Sequence, residues 1–291
     1  MIDYEFLKAH SLDEALECLD SREGVKLIAG GTDVLVDIRK ENARAKGFKY
    51  LLDVSGLREL KFIEERCDCV AIGALSTHTM LVESPVINKY FPLLASAAKT
   101  IGSTQIRNRG TVGGNVNNAS PAADLLPPLI ALGAHVKLLS LKGERNLPLD
   151  EFLAGPYRTN RQSGEMMTEV CVPFLGEGYF TDFQKIGRRK AMNIARLNLA
   201  VVLKIDGETV FDPRIVPGAA TAYPIRFSKT EGTIAGKRVS EIDPAKIGET
   251  ASEEMISATG IRWSTPYKRI ALASLVKKAL ETIFAEAKAN E

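Results

Sequence analysis

QIRNRGTVGGNVNNASPAADLLPPLIALGAH, residues 105–135, is the stretch around which the chain is organised. It begins basic with Arg107 and Arg109, passes through Gly113-Gly114, carries Asn115, Asn117, Asn118 and Ser120, and ends in an apolar, helix-like run from Leu125 to Leu132. Paired glycines let a backbone approach a ligand closely, because no Cβ intervenes and positive φ costs little. Short amide and hydroxyl side chains beside them add hydrogen-bonding groups, and free N–H groups nearby form a nest for an anion. Asp124 stands where the polar loop meets the apolar run, placed either to cap a helix or to grip a ribose hydroxyl. A cradle for a diphosphate is one reading of this stretch; a plain Gly-Gly turn is the other.

A second stretch favours the cradle. Residues 25–37 read VKLIAGGTDVLVD: an apolar strand, then Ala29, Gly30, Gly31, Thr32 and Asp33, then another apolar run. Strand, glycine loop and helix is the order in which backbone amides meet phosphate oxygens. Neither stretch is a G-x-G-x-x-G fingerprint or a G-x-x-x-x-G-K-[ST] loop. Two glycine cradles suit a long diphosphate ligand held from both sides, whereas a mononucleotide needs one.

Taken with residues 73–81 (GALSTHTML), 119–134 (ASPAADLLPPLIALGA), 151–159 (EFLAGPYRT), 164–170 (GEMMTEV) and 185–195 (KIGRRKAMNIA), these motifs resemble, in order and over essentially the whole chain, the FAD-binding subunits of molybdenum hydroxylases. That family includes the flavin domain of xanthine dehydrogenase and the medium subunit of aerobic carbon monoxide dehydrogenase. The resemblance implies an α+β fold. It has a two-lobed PCMH-type FAD-binding region, with a small parallel α/β lobe and a larger mixed or antiparallel lobe, followed by a C-terminal sheet-and-helix domain. It implies one FAD, bound non-covalently because no His or Cys is poised for attachment. It also implies an electron-transfer role beside a [2Fe–2S] small subunit and a large molybdopterin subunit, in a heterotrimer or a dimer of heterotrimers. The cofactor then does the redox chemistry and the protein supplies grip and electronics.

By the same resemblance, Ala29, Gly30, Gly31, Thr32 and Asp33, with Thr111, Gly113, Gly114 and Asn115, hold the pyrophosphate and ribityl chain. Asn118 and Asp124 contact the ribose or adenine side. Ile101 and Ile194 cover the two flavin faces and Met167 packs near the adenine end; as residues, all three also read as ordinary core positions. Lys185 matches a lysine beside the flavin, where a cation stabilises negative charge on the reduced ring. Xanthine dehydrogenases carry acidic residues in the loop that here reads Arg189-Lys190-Ala191-Met192-Asn193, which counts against NAD as acceptor. As residues alone, Arg188, Arg189 and Lys190 also read as a solvated basic turn.

Two readings from other classes remain at this point. One is a self-contained vanillyl-alcohol-oxidase-type flavoenzyme with its own substrate domain. The other is a non-enzymatic nucleotide-sensing or assembly module.

Composition excludes little else. The 291 residues are 45% hydrophobic and 25% charged, ordinary for a globular protein, and a net charge of +2 with no dense Lys/Arg run argues against nucleic acid. No apolar run is long enough for a membrane span, and the N-terminus lacks a signal-peptide pattern, so the expectation is a soluble cytoplasmic protein. The cysteines, Cys18, Cys67, Cys69 and Cys171, have no knuckle spacing, which predicts reduced structural thiols and no metal. His78 and His135 read as satisfied structural histidines.

Organisation follows from periodicity. Residues 1–58 form lobe 1, with a Ser11-x-x-Glu14 capping box, a helix, and strands at 25–30 and 50–54 joined by a right-handed parallel crossover. Residues 59–175 form lobe 2, with a hairpin around Arg66–Asp68, helices after Ser76 and at 91–98, and strands near 135–141 and 169–174. Residues 176–291 form the C-terminal domain. Its strands turn at Asp206-Gly207, residues 216–224 read as loop, and two helices follow at 244–258 and 266–287. The last has Ile270, Leu272, Leu275, Val276, Leu280 and Phe284 as its buried stripe.

Overall fold

The computed structural model describes residues 3–43, 46–189 and 192–290. The N-terminal unit runs β1 (Glu5–Lys8), α1 (Leu12–Ser21), β2 (Val25–Ile28), α2 (Val34–Arg39) and β3 (Tyr50–Asp53). Its three strands form a parallel sheet in the order β1-β3-β2. Ser11 caps α1 by accepting the Glu14 N–H, while the Glu14 carboxylate reaches back to the His10 N–H rather than to Ser11 itself. Strand β1 was not foreseen: it is four residues long, sits at the sheet edge, and exposes Phe6.

The middle unit begins with β4 (Ile63–Glu65), β5 (Cys69–Gly73) and four helices: α3 (His78–Glu83), α4 (Pro85–Tyr90), α5 (Pro92–Lys99) and α6 (Thr104–Arg109). It continues through α7 (Val112–Asn118), α8 (Leu126–Ala131), β6 (His135–Ser140) and β7 (Gly143–Pro148). It closes with α9 (Leu149–Phe152), β8 (Leu153–Gly155), β9 (Arg158–Thr159) and β10 (Met166–Pro173). Its sheet is antiparallel throughout, in the order β4-β5-β10-β6-β7. β10 lies at the centre and carries a bulge at Thr168. Because successive strand side chains point to opposite faces, Met166 enters the core of the N-terminal unit and Met167 that of the middle unit. The strand straddles the seam between them.

The cysteine expectation needs correction. Cys69 on β5 and Cys171 on β10 are joined by a disulfide across the antiparallel pair, while Cys18 and Cys67 are free. The bridge links positions 102 residues apart that only the sheet register brings together.

The C-terminal unit is an antiparallel sheet of β11 (Tyr179–Ile186), β12 (Leu197–Asp206) and β13 (Thr209–Gly218), followed by α10 (Ser228–Gly232), α11 (Pro244–Thr259) and α12 (Thr265–Ala289). β12 is central and buried on both faces, which explains its nearly unbroken apolar run. One face joins the middle core through Ala200 and Val202; the other packs under α11 and α12. Residues 216–218 belong to β13, not to a loop. Pro217 is tolerated because β13 is an edge strand and needs no N–H toward solvent. On α12 the expected stripe is buried except for Ile270, which is 74% exposed because it lies on the opposite side of the helix from the buried Leu272, Val276 and Ala279. No helix among the described residues is long and apolar enough to cross a membrane.

Candidate functional site

A cleft of about 750 Å³ opens between the N-terminal and middle units and is overhung by the β11–β12 connection. That volume is within the range of cofactor sites. Its first wall is the loop from Ala29 to Asp33. Gly31 turns the chain there at φ +73°, and the backbone amides of Gly30, Gly31 and Thr32 donate to no acceptor among the described residues. Consecutive free amides form an anion nest. Gly30 also lies flat against the end of α6, where any Cβ would overlap the Arg109 carbonyl. The two glycine stretches, 80 residues apart in the chain, thus abut.

The second stretch is built differently from what its sequence suggests. Thr111 caps α7, its hydroxyl accepting the Gly114 N–H at 3.0 Å. The Val112 N–H goes to the Ser76 carbonyl, that of Gly113 to Ala74, and that of Asn115 to Thr111. These amides are therefore already used, and the expected second nest of free N–H groups is absent. Gly113 is glycine because α7 packs against Ala74, whose Cβ and carbonyl oxygen would lie 2.7 Å from an added Cβ. A valine there meets protein before it meets any ligand.

What this stretch offers the cleft is side chains. Asn118 donates to Asp33 Oδ2 at 3.0 Å, bridging the two units, so Asp33 does not cap α2. Asn117 donates to the Gly113 carbonyl and to Met167 Sδ. Among the described residues, Asn115 Oδ1 is buried and meets no hydrogen-bond partner, and the same holds for Asn193 Oδ1 and His78 Nδ1. All three residues line the cleft. A buried polar atom with no partner is uncommon and asks for one, here a ligand supplying N–H or O–H groups. Among the sequence-selected residues, Thr32, Ile101, Thr111, Gly114, Asn118, Asp124, Met167 and Ile194 also line it. Lys185 does not.

Lys185 lies behind the wall. Its ammonium, on β11, makes a 2.6 Å ion pair with Asp124 Oδ2 and donates to the carbonyls of Thr100 and Asn193. The Asn198 amide holds the other oxygen of Asp124 at 2.9 Å. Burial pushes the Asp124 carboxyl above its ordinary range, opposed by Lys185 and Asn198. Asp124 makes no helix cap. The pair ties the β11–β12 connection to the middle unit, and Arg189, donating to the Met192 carbonyl, with Asn193, donating back to that of Arg189, folds that connection on itself. Lys190 and Ala191 lie outside the described residues.

His78 was read as a satisfied structural residue and is not one. It is buried at the start of α3, its N–H bonded to the Gly110 carbonyl and its ring against Gly110. Burial, reinforced by Arg107, pushes its pKa down to about 4. The unfolded chain, with an ordinary histidine near pH 6.5, binds more protons between those values. His78 thus contributes about 3 kcal/mol above pH 6.5, a contribution lost as pH falls toward 4. Replacing it with asparagine should flatten the decline of the unfolding midpoint between pH 6.5 and 4.5; an unchanged decline would remove His78 as its cause. The sequence reading also gave no role to Arg161, or to Tyr157 although it lies in the 151–159 motif. Arg161 reaches the cleft with its guanidinium pKa lowered by burial, and Tyr157 holds φ +57° beside it.

A cleft with an anion nest, apolar walls of Met166, Met167 and Ile101, and orphaned acceptors in it fits a dinucleotide with an N–H-bearing ring. The fold and site define a flavoprotein of the molybdopterin-dehydrogenase class. Residues 2–175 match the family described as FAD binding domain in molybdopterin dehydrogenase, and residues 182–283 match the CO dehydrogenase flavoprotein C-terminal domain. The chain belongs to this family, and with it to FAD-binding oxidoreductase subunits. It is 31% identical to the carbon monoxide dehydrogenase medium chain of Hydrogenophaga pseudoflava, over 97% of each chain. It is 30% identical to the glyceraldehyde dehydrogenase medium chain of Sulfolobus acidocaldarius, over 97% of this chain and 98% of that one. A solved structure of the Hydrogenophaga pseudoflava enzyme superposes with a TM-score of 0.89 at 30% identity, covering 98% of this chain and 99% of that one. The C-terminal match sets the chain apart from vanillyl-alcohol-oxidase-type enzymes, which carry a substrate domain there.

Proposed function

We propose that this chain is the electron-transferring FAD subunit of a heteromeric molybdenum-type hydroxylase, receiving electrons from a [2Fe–2S] partner and passing them to an external acceptor. The observation that carries it is the cleft itself: one anion nest, orphaned acceptors and apolar walls, in a chain that matches medium chains end to end. FAD, when bound, supplies redox chemistry that no side chain provides. Ala29 to Thr32 hold the diphosphate through backbone amides. Asp33 and Asn118 bridge the lobes beside it, and Thr111, Gly113 and Gly114 shape the adjoining turn. Ile101 and Ile194 flank the ring, Met167 packs against the cofactor, and Asn115, His78 and Asn193 accept its N–H and O–H groups. Asp124 presents its carboxylate, and Lys185 acts through Asp124 by keeping it ionised and the overhanging connection in place.

The purified native protein should carry one FAD per chain, released intact by acid or heat, and should co-elute with iron and with molybdenum or tungsten in a larger assembly. The chain alone should be reducible by a chemical donor and reoxidised by dyes or oxygen, without turning over purines, aldehydes or carbon monoxide. A native mass equal to this chain alone, or flavin bleaching by such a substrate in the isolated chain, would overturn the assignment.

A further inference from the structure

The connection between β9 and β10, residues 160–165, is firmly held and carries a cation with too few partners. Asn160 pins it, its N–H bonded to the Phe152 carbonyl at 2.8 Å and its side-chain amide to the Glu151 carbonyl at 2.7 Å. Glu165 closes it. Its carboxylate accepts the Gln162 N–H at 2.6 Å and two bonds from Arg145 on β7, at 2.8 and 2.9 Å. A carboxylate gripping a guanidinium in this forked geometry has its charge already matched.

Arg161 is thereby left without that counter-charge. Its Nη1 donates only to backbone carbonyls, that of Glu165 at 2.5 Å and that of Gln162 at 3.5 Å. Among the described residues its Nε and Nη2 donate to nothing. The side chain is half-buried, and burial lowers its pKa in spite of the Glu165 charge nearby. A cation withdrawn from water and matched only by carbonyl dipoles is unfavourable unless an anion completes its shell.

Beside the flavin cleft, and sharing Arg161 and Thr159 with it, lies a second hollow of about 490 Å³. Arg145 Nη1, the Thr159 hydroxyl and the Gln162 side-chain amide belong to its lining, and among the described residues they too make no hydrogen bond. Glu151 also lines it, but that side chain is exposed and water screens its charge. The hollow therefore presents unused donors, two of them guanidinium edges, on a connection that binding need not order. We propose that this second hollow binds a small oxyanion, a carboxylate or a phosphate, between the free edges of Arg161 and Arg145, with Thr159 and Gln162 completing its shell. The site is distinct from the anion nest of Ala29 to Thr32 and does not depend on the heteromeric reading.

The test is calorimetric titration of the purified native protein with inorganic phosphate and, separately, with succinate, against sodium chloride of matched ionic strength. The unaltered protein should bind at least one of them saturably. Phosphate alone assigns a phosphoryl ligand, succinate alone a carboxylate, and mutual competition an oxyanion site without preference. Arg161→Gln should weaken that binding by at least about tenfold, the loss of a charge-assisted hydrogen bond. Gln162→Glu, at an exposed position, should weaken it comparably with an unchanged unfolding midpoint, because it sets a repelling carboxylate in the hollow and keeps both arginines. Both variants should keep their FAD. No saturable binding of either anion, heats that sodium chloride reproduces, or binding equal in parent and variants would each overturn the site and leave the flavin reading intact. Loss of FAD from Arg161→Gln, with anion binding untouched in Gln162→Glu, would give the free edge to the cofactor and reject the hollow.

Discussion

Replacing Lys185 with methionine should be among the most damaging single changes, costing about 3–5 kcal/mol, because it leaves Asp124 buried without its counter-charge. The two side chains are 8% and 9% exposed, so water cannot take over. The variant chain should unfold at a much lower temperature and lose FAD. The reason is not a lost contact with the ring but release of the β11–β12 connection, whose Asn193 carbonyl the ammonium holds. Adding Asp124→Asn should restore most of the stability, since an amide can stay bonded to Asn198 without a charge to neutralise. Flavin retention need not follow. Equal unfolding midpoints in the single and double variants would show that the buried charge is not the source of the damage.

The second large effect is expected from Gly30→Ala. One methyl at this position overlaps the Arg109 carbonyl, which is backbone and cannot swing aside. The loop must withdraw from α6, moving the three free amides that form the anion nest. Overpacking of this kind costs about 1–3 kcal/mol in stability, and the nest requires its amides in register. We expect a folded protein with FAD affinity lower by at least about a hundredfold, the loss of about 3 kcal/mol of binding. Thr32→Ala, which keeps all three amides, should retain most of it. Parent-like flavin affinity in Gly30→Ala would mean that the Ala29–Asp33 loop does not carry the diphosphate.

Much of this protein was legible in advance where the signal is local. The Ser11 cap of α1, the hairpin around Arg66–Asp68, the Thr77 cap of α3 and the Asp206-Gly207 turn depend on residues a few positions apart, and each forms, although Glu14 closes the cap on the His10 N–H rather than on Ser11. Errors came where a local pattern met a partner surface, or its absence. Ile270 falls out of phase with the stripe of Leu272, Val276 and Ala279 and faces solvent from the far side of α12. Residues 216–218 have loop composition but lie on an edge strand that tolerates proline. Cys69 and Cys171 were expected as reduced thiols because they are distant in sequence and come together only in the sheet.

The amino-acid sequence by itself determined the family and the flavin. Ordered short motifs encode backbone turns, caps and close approaches, and those energies act over a few residues. Tertiary structure alone decided which groups remain available to a ligand. The amides after Thr111 read as free until the carbonyls of Ala74 and Ser76 arrive to take them, whereas those of Gly30 to Thr32 meet no such acceptor. Lys185 reads as a cation for the ring until Asp124, 61 positions away, claims its charge, and His78 reads as satisfied until burial strips its Nδ1 of partners. A hydrogen bond or an ion pair depends on where both partners end up, and for pairs distant in sequence only the packed fold specifies that.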